Sequence, residues 1–173
     1  MSIGAVMQDA MNQQVKHEFF SAYTYLSMAA YLESIHLPGS AHWMRVQARE
    51  EVKHAMKFFE HIIDRGGRVQ LQPIDGPHVD FASPLDVFSK ALEHERFITG
   101  RINALYAVAQ QEQDFAAEGL LDWFVKEQVE EEKTVGQVVE DFRMVGDNRS
   151  ALLLLDRELG ARSAESDDEG DEA

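Results

Sequence analysis

The sequence predicts an all-α fold: a four-helix bundle with a long crossover between helices two and three, and a short C-terminal fifth helix. Long segments repeat apolar residues with the helical period, and no segment shows the apolar–polar alternation of a strand. The four prolines and the Gly66-Gly67 pair are clustered, so they mark the ends of helices. The connections between the helical segments also differ greatly in length, and this difference indicates the topology.

The breaker residues delimit five helices in order along the chain. Helix two ends at Gly66-Gly67, and helix three begins at Ser83-Pro84, a good N-cap residue followed by a first-turn proline. Gly146 can cap the end of helix four. We therefore expect helices over about residues 3–33, 39–65, 83–111, 114–145 and 148–159.

The link between helices two and three is long enough to cross the whole bundle. It spans 18 residues, 66–83, and 18 extended residues reach up to about 60 Å. A helix of about 27 residues is only about 40 Å long. The link can therefore make helices two and three parallel, whereas the short links that follow helices one and three make antiparallel pairs.

The composition predicts one globular domain with an acidic surface. A chain of 173 residues with 45% hydrophobic residues can bury a single sizeable core, which we place at residues 1–160. Six acids and no base follow in the last nine residues, so we expect residues 161–173 to form a disordered acidic tail. The net charge of −15 repels nucleic acid and anionic membranes and attracts cations.

Other features exclude further classes of protein. The absence of cysteine excludes a disulfide scaffold, thiolate metal sites and cysteine nucleophiles. No apolar run reaches 18 residues, and the N-terminus lacks the basic-then-apolar pattern of a signal peptide. We therefore expect a cytoplasmic protein.

Each of the four long helices carries an acid in the middle of its apolar face: Glu18, Glu51, Glu95 and Glu131. Measured from the two tight turns at about 1.5 Å per residue, these acids lie at one height to within one helical turn. Burying even one unpaired carboxylate costs several kcal/mol, and no Lys or Arg lies on these faces at that height. Two divalent metal ions would balance four carboxylates.

A histidine, His54, lies one turn after Glu51 on the same face. Oxygen ligands with one imidazole suit iron or manganese and also accept zinc. A Glu-x-x-His pair is weak evidence by itself, because the chain holds a second one, Glu33-x-x-His36, which we expect to be exposed at a helix end. The prediction of a metal site depends on the joint pattern of four acids.

At these residues the chain resembles the bacterial non-haem ferritins of the ferritin-like di-iron superfamily. The resemblance extends over residues 1 to about 160, and its marks are His17-Glu18-x6-Tyr25, Glu50-Glu51-x-x-His54, Glu95 and Glu127-Gln128-Val129-Glu130-Glu131. It implies a shell of 24 subunits that takes up Fe(II), oxidises it with O₂ or peroxide, and stores ferric mineral. The protein would thus be a ferroxidase as well as an iron store.

The resemblance also implies a role for each residue of these motifs. Glu18, Glu51 and His54 would hold the first iron, and Glu51 would bridge to a second iron held by Glu95 and Glu131. Gln128 would lie near the second iron, and Tyr25 would be a nearby aromatic that can give an electron, for which simple core packing is a substantial alternative. A third iron site would use Glu50, Glu127, Glu130 and Glu131, for which a solvated helix edge is the alternative.

Two departures separate the chain from neighbouring families. Bacterioferritins place a haem-ligating methionine between the Glu and His of helix two, where this chain has Val52, so we expect no haem. Bacterioferritins and rubrerythrins also use a second Glu-x-x-His on helix four, whereas here Thr134 follows Glu131-x-x. The second iron would then lack an imidazole and bind more loosely.

Three functions remain open at this stage: a ferroxidase with a storage shell, a metal-buffering container with little oxidation, and a small di-iron oxidase of organic substrates. The leucines at 152–155 and 159 favour a shell, because a finished bundle cannot bury them all. A dimer would favour the oxidase, and a shell of 12 subunits would indicate the smaller DNA-protecting relatives. Glu118 and Asp122 could line an entry channel for Fe(II), or form an ordinary acidic first turn.

Overall fold

The structure, a computed structural model, describes residues 2–163, and that part of the chain forms five α-helices and no strand. The helices are α1 (Ala5–Ser34), α2 (Pro38–Asp64), α3 (Pro84–Glu112), α4 (Phe115–Val145) and α5 (Arg149–Leu159). The predicted all-α class and all five predicted helices are confirmed, with boundaries that agree to within about two residues.

The helix ends use the local chemistry that the sequence indicates. The Ser83 hydroxyl accepts a hydrogen bond from the backbone N–H of Asp86 at 3.1 Å and so caps α3. Gly66 has φ 69° and Gly146 has φ 51°, left-handed conformations that glycine adopts without steric cost. The chain can therefore leave α2 and α4 sharply at these two residues.

The link between α2 and α3 runs along the length of α1. Near the start of α1, the backbone N–H of Gln70 donates to the Asn12 side chain at 2.7 Å. Near its end, the Phe81 ring packs against Tyr31 with a centroid distance of 5.2 Å. Helix α3 thus begins where α1 ends, which makes α3 antiparallel to α1 and parallel to α2, as predicted.

Two apolar clusters fill the bundle on either side of a polar level. In one, the Phe88 ring lies between Trp43 and Phe142. In the other, Phe58 stacks on Phe124 with a centroid distance of 4.1 Å. Large buried side chains therefore pack between the four helices on both sides of the level at which the acidic residues lie.

Helix α5 packs against α2 and α4 at one end of the bundle. Leu155 and Leu159 are buried there, whereas Leu153 and Leu154 are 51% and 65% exposed. The disordered tail is predicted to begin at residue 161, but Arg162 packs on the Trp43 ring, so ordered packing continues past this helix. The rest of the predicted tail, residues 164–173, lies outside the described residues. None of the described helices is long and apolar enough to cross a membrane.

Candidate metal centre

The polar level of the bundle consists of carboxylates, one from each long helix. All four are almost completely buried, with exposures of 1% for Glu18 and Glu95, 2% for Glu51 and 5% for Glu131. The structure therefore brings together, inside one bundle, the four acids that the sequence singles out from separate helices.

One group of potential ligands joins α1 and α2. Ligand atoms of Glu18, Glu51 and His54 all lie within 4.8 Å of one another, a spacing that could hold a metal ion. His54 Nδ1 is 3.7 Å from Glu51 Oε2. The Gln14 amide donates to Glu18 Oε1 at 2.8 Å, while Glu18 Oε2 is buried without a hydrogen-bond donor among the described residues. These three side chains could therefore hold a cation.

A second group joins α2 and α4 and shares the same histidine. Ligand atoms of His54, Glu127 and Glu131 also lie within 4.8 Å of one another, with His54 Nε2 3.9 Å from Glu127 Oε1. The Gln47 amide donates to Glu131 Oε2 at 2.8 Å. His54 therefore turns one ring nitrogen toward each group.

Glu95 belongs to neither group, and neutral donors contact both of its carboxylate oxygens. The Tyr25 hydroxyl donates to Glu95 Oε1, and the Gln128 amide donates to Glu95 Oε2 at 3.2 Å. Tyr25 is completely buried and Gln128 is 3% exposed. The two donors fix the orientation of the Glu95 carboxylate toward the interior of the bundle, where it faces the other three acids.

The acids implied for a third iron site are only partly assembled. Glu127 lies beside Glu131, as described above. Glu50 is buried, but its Oε2 accepts a hydrogen bond from Arg162 at 2.9 Å. The Glu130 side chain is 67% exposed, lies 3.9 Å from Lys133, and joins neither group.

Burial raises the pKa values of all four central carboxyls, and for three of them the charge of Glu95 adds to the effect. Burial raises the pKa of Glu18 to about 7. Burial, followed by the charge of Glu95, raises the pKa values of Glu51 and Glu131 well above the usual range. Burial likewise raises the pKa of Glu95. Without a cation the centre therefore holds protons, and a divalent metal would replace them.

Burial, assisted by the charge of Glu95, also raises the pKa of the Tyr25 phenol well above its usual value. Tyr25 therefore keeps its proton at neutral pH and acts as a hydrogen-bond donor to Glu95. This contact places an oxidisable ring next to one of the candidate iron ligands.

Sequence reasoning missed the two amides that orient the carboxylates, Gln14 and Gln47. Both are at most 1% exposed. A signal was present, because each lies four residues before a central acid on the same apolar helix face. Arg162 carried no comparable signal, since it contacts Glu50 from a distant part of the chain.

The structure also describes the residues that separate this chain from neighbouring families. Val52 is 41% exposed on α2, and its side chain offers no ligand atom for haem. The second Glu-x-x-His pair is exposed as predicted, and Glu33 forms an ion pair with Arg45 at 2.7 Å.

Comparison with known proteins agrees with this fold. A family model described as a ferritin-like domain matches residues 8–145. Bacterial non-heme ferritins of Staphylococcus aureus (strain USA300) and Staphylococcus haemolyticus are each 37% identical over 155 residues, covering 90% of this chain and 93% of the relative. The bundle and its carboxylates thus define a ferritin-like protein.

Solved structures give the same result. An open-pore ferritin from the archaeon Archaeoglobus fulgidus is 48% identical, covers 94% of this chain and 100% of its own, and superposes with a TM-score of 0.92. A closed form engineered from that ferritin is also 48% identical over 94% of this chain and 99% of its own, with a TM-score of 0.93. The chain belongs to the ferritin family, a family of iron-binding storage proteins, as its sequence motifs predict.

Proposed function

We propose that this protein takes up Fe(II), oxidises it at a pair of iron positions within each subunit, and stores the ferric product inside a shell of 24 subunits. The observation that carries the proposal is the set of four buried carboxylates together with His54. The donors described for these carboxylates are three amides and a phenol, so none of them neutralises the negative charge. Two divalent ions would do so.

In this proposal Glu18, Glu51 and His54 bind the first Fe(II), a role supported by their mutual distances of at most 4.8 Å. Glu51 bridges to the second Fe(II), which Glu95 and Glu131 bind from the facing helices. The second position lacks an imidazole, and imidazole suits Fe(II) well. The first position therefore fills first, and the second exchanges its iron more readily.

Oxidation requires one electron from each of the two Fe(II) ions. O₂ accepts both electrons with two protons and becomes hydrogen peroxide, or peroxide accepts two electrons and two protons and becomes two waters. Carboxylates favour this reaction because anionic oxygens stabilise Fe(III) more than Fe(II). Gln128 and Tyr25 both donate to the Glu95 carboxylate and so hold it in place.

A third iron position lies on the α2–α4 side of the pair. Glu127 and Glu131 are the acids with the strongest support, because they and His54 form the second group of close ligand atoms. Glu50 lies near enough for its charge to raise the pKa of Glu131. Glu130 is further out and, in this proposal, receives iron that leaves the first three acids.

The shell of 24 subunits is supported by the exposed leucines of α5 and by the similarity to ferritins over 90% or more of the chain. A shell gives oxidised iron a cavity in which to accumulate. The exposed leucines would be buried where copies of α5 meet.

The decisive experiment compares the wild-type protein with Glu51→Ala, since Glu51 contributes to both iron positions. Fe(II) is titrated without oxygen, O₂ is then admitted, and stopped-flow absorbance follows the oxidation. We expect the fast oxidation of the first two Fe(II) per subunit to disappear in Glu51→Ala. Glu60→Ala, which removes an exposed acid of the same helix, serves as the control and should oxidise iron normally.

Wild-type rates in Glu51→Ala would contradict the di-iron assignment. Slow oxidation in the wild-type protein itself, with metal still bound, would instead favour a buffering container. Light-scattering mass on the same samples separates a cage from a dimeric oxidase.

A further inference from the structure

The ion pair between Arg162 and Glu50 joins the C-terminal segment to the edge of the metal centre. Glu50 is only 6% exposed, and its Oε2 accepts a hydrogen bond from Arg162 Nη2 at 2.9 Å. The two residues are 112 positions apart in sequence. A guanidinium from beyond α5 therefore lies against one of the acids considered for the third iron position.

Two further contacts hold Arg162 in this place. Its guanidinium carbon lies 4.6 Å from the centroid of the Trp43 ring, a cation–π arrangement. Its backbone carbonyl lies 2.9 Å from His42 Nε2. The segment that follows α5 is therefore docked on α2 through a charge, a ring and a backbone contact.

The docked guanidinium is not fully satisfied. The Arg162 side chain is 17% exposed, and its Nη1 is buried without a hydrogen-bond partner among the described residues. A buried donor without an acceptor costs free energy that a solvated donor does not. Part of the stabilisation from the Glu50 contact is offset in this way, so the docked state is easier to displace.

A groove beside Arg162 offers its side chain a second position. Arg162 lines this groove of about 550 Å³ together with Trp43, Glu130 and Lys133. This groove can accommodate the guanidinium once it leaves Glu50.

A divalent cation near Glu50 would compete directly with Arg162. Two positive charges a few ångströms apart repel strongly at the edge of a protein interior. Glu50 lies one helical turn before His54 on the same face of α2. Ligand atoms of His54, Glu127 and Glu131 lie within 4.8 Å of one another, so a cation bound by this group lies near the Glu50–Arg162 ion pair.

We propose that Arg162 is a built-in cationic competitor at the third iron position: it neutralises Glu50 in the metal-free protein, and metal binding there displaces it toward the groove. This inference rests on the third position in the proposed function. Arg162 is thus a positioning residue that sets how readily metal moves from the paired positions toward the α2–α4 side.

Zn(II) titration tests this proposal, because Zn(II) binds oxygen and imidazole ligands without redox chemistry. All proteins carry Trp123→Phe, so that emission comes from Trp43, the chain's other tryptophan. The test variant is Arg162→Ala. The matched control is Arg157→Ala, which removes an exposed arginine of α5.

We expect the first two Zn(II) equivalents to leave Trp43 emission unchanged and the third to shift it, because the cation–π contact is lost. In Arg162→Ala the third equivalent should bind about tenfold more tightly by calorimetry, since a charge-assisted hydrogen bond of about 1.4 kcal/mol no longer opposes it. Binding of the third Zn(II) equivalent to Arg162→Ala should leave Trp43 emission unchanged. Arg157→Ala should behave like the parent protein.

Unchanged Trp43 emission through all equivalents in the parent protein would overturn the proposal. Equal affinities for the third equivalent in Arg162→Ala and Arg157→Ala would also overturn it. Saturation at two equivalents in every variant would exclude the third position and the competitor together but leave the iron pair intact. Failure to bind even two equivalents would instead contradict the proposed function.

Discussion

At the scale of single residues, the candidate metal centre is a group of buried acids whose raised pKa values favour the protonated form when no metal is bound. Uncharged donors orient the carboxylates without neutralising them: Gln14, Gln47, Gln128 and Tyr25. Neutral donors leave the charge for an incoming cation to balance. A Lys or Arg in these positions would have stabilised the empty bundle and weakened metal binding.

The raised pKa of Glu18 makes metal-free stability depend on pH in a definite direction. An acid whose pKa is higher in the folded state destabilises the fold only when it ionises. The penalty is therefore absent below about pH 4.5 and complete above about pH 7. A shift of this size corresponds to about 3 kcal/mol.

Glu18→Gln should remove this dependence. With a chelator present, we expect the variant to melt at nearly the wild-type temperature at pH 4.5 and several degrees higher at pH 7.5, because the amide never ionises. Thermal unfolding followed by circular dichroism at several pH values measures the difference. A difference in melting temperature between the two proteins that stays constant from pH 4.5 to pH 7.5 would contradict the predicted ionisation of Glu18.

At the scale of helices, α2 begins without a capping side chain of its own. Asp156 of α5 supplies the missing acceptors. Its carboxylate accepts hydrogen bonds from the backbone N–H of Gly39 at 3.1 Å and of Ser40 at 2.7 Å. Gly39 is required at this close approach, because a Cβ there would lie 1.7 Å from the Asp156 carbonyl oxygen.

Asp156→Ala should therefore destabilise both helices at once. Loss of a buried N-terminal cap costs about 2 kcal/mol, which corresponds to about 5 °C in melting temperature for a chain of this size. Calorimetry of the metal-free protein measures the shift. The control is Glu158→Ala, which removes an exposed acid of the same helix and should change the melting temperature by less than a degree or two. Equal shifts in Asp156→Ala and Glu158→Ala would mean that the cap contributes little.

At the scale of the whole molecule, the subunit has an apolar surface that its own bundle leaves exposed. Leu153 and Leu154 are 51% and 65% exposed on a helix that is otherwise well docked. In the proposed shell these side chains would pack against other copies of α5. The metal centre, by contrast, lies entirely within one bundle.

Leu154→Lys should therefore lower the assembly mass without altering the metal centre. We expect smaller species by multi-angle light scattering, because a lysine charge is costly to bury where copies of α5 meet. The smaller species should still oxidise the first two Fe(II) per subunit. Arg149→Ala, on an exposed position of the same helix, should assemble normally, and intact assembly of Leu154→Lys would place α5 outside the subunit contacts.

The sequence by itself determined the helices, the crossover and the height of Glu18, Glu51, Glu95 and Glu131. Apolar period, caps and spacing are local properties, and a helix rises by a constant amount per residue. Consecutive residues of a helix point about 100° apart, so Glu130 lies on a different face of α4 from Glu131. The resemblance grouped these two acids, but the structure does not.

Only the tertiary structure decided which groups complete the site. His54 is shared by two ligand groups because α4 packs beside α2 and brings Glu127 to its second nitrogen. Arg162 meets Glu50 because α5 docks on the start of α2, a contact between residues 112 positions apart. Such contacts depend on how completed helices pack against one another, and no spacing along the chain specifies them.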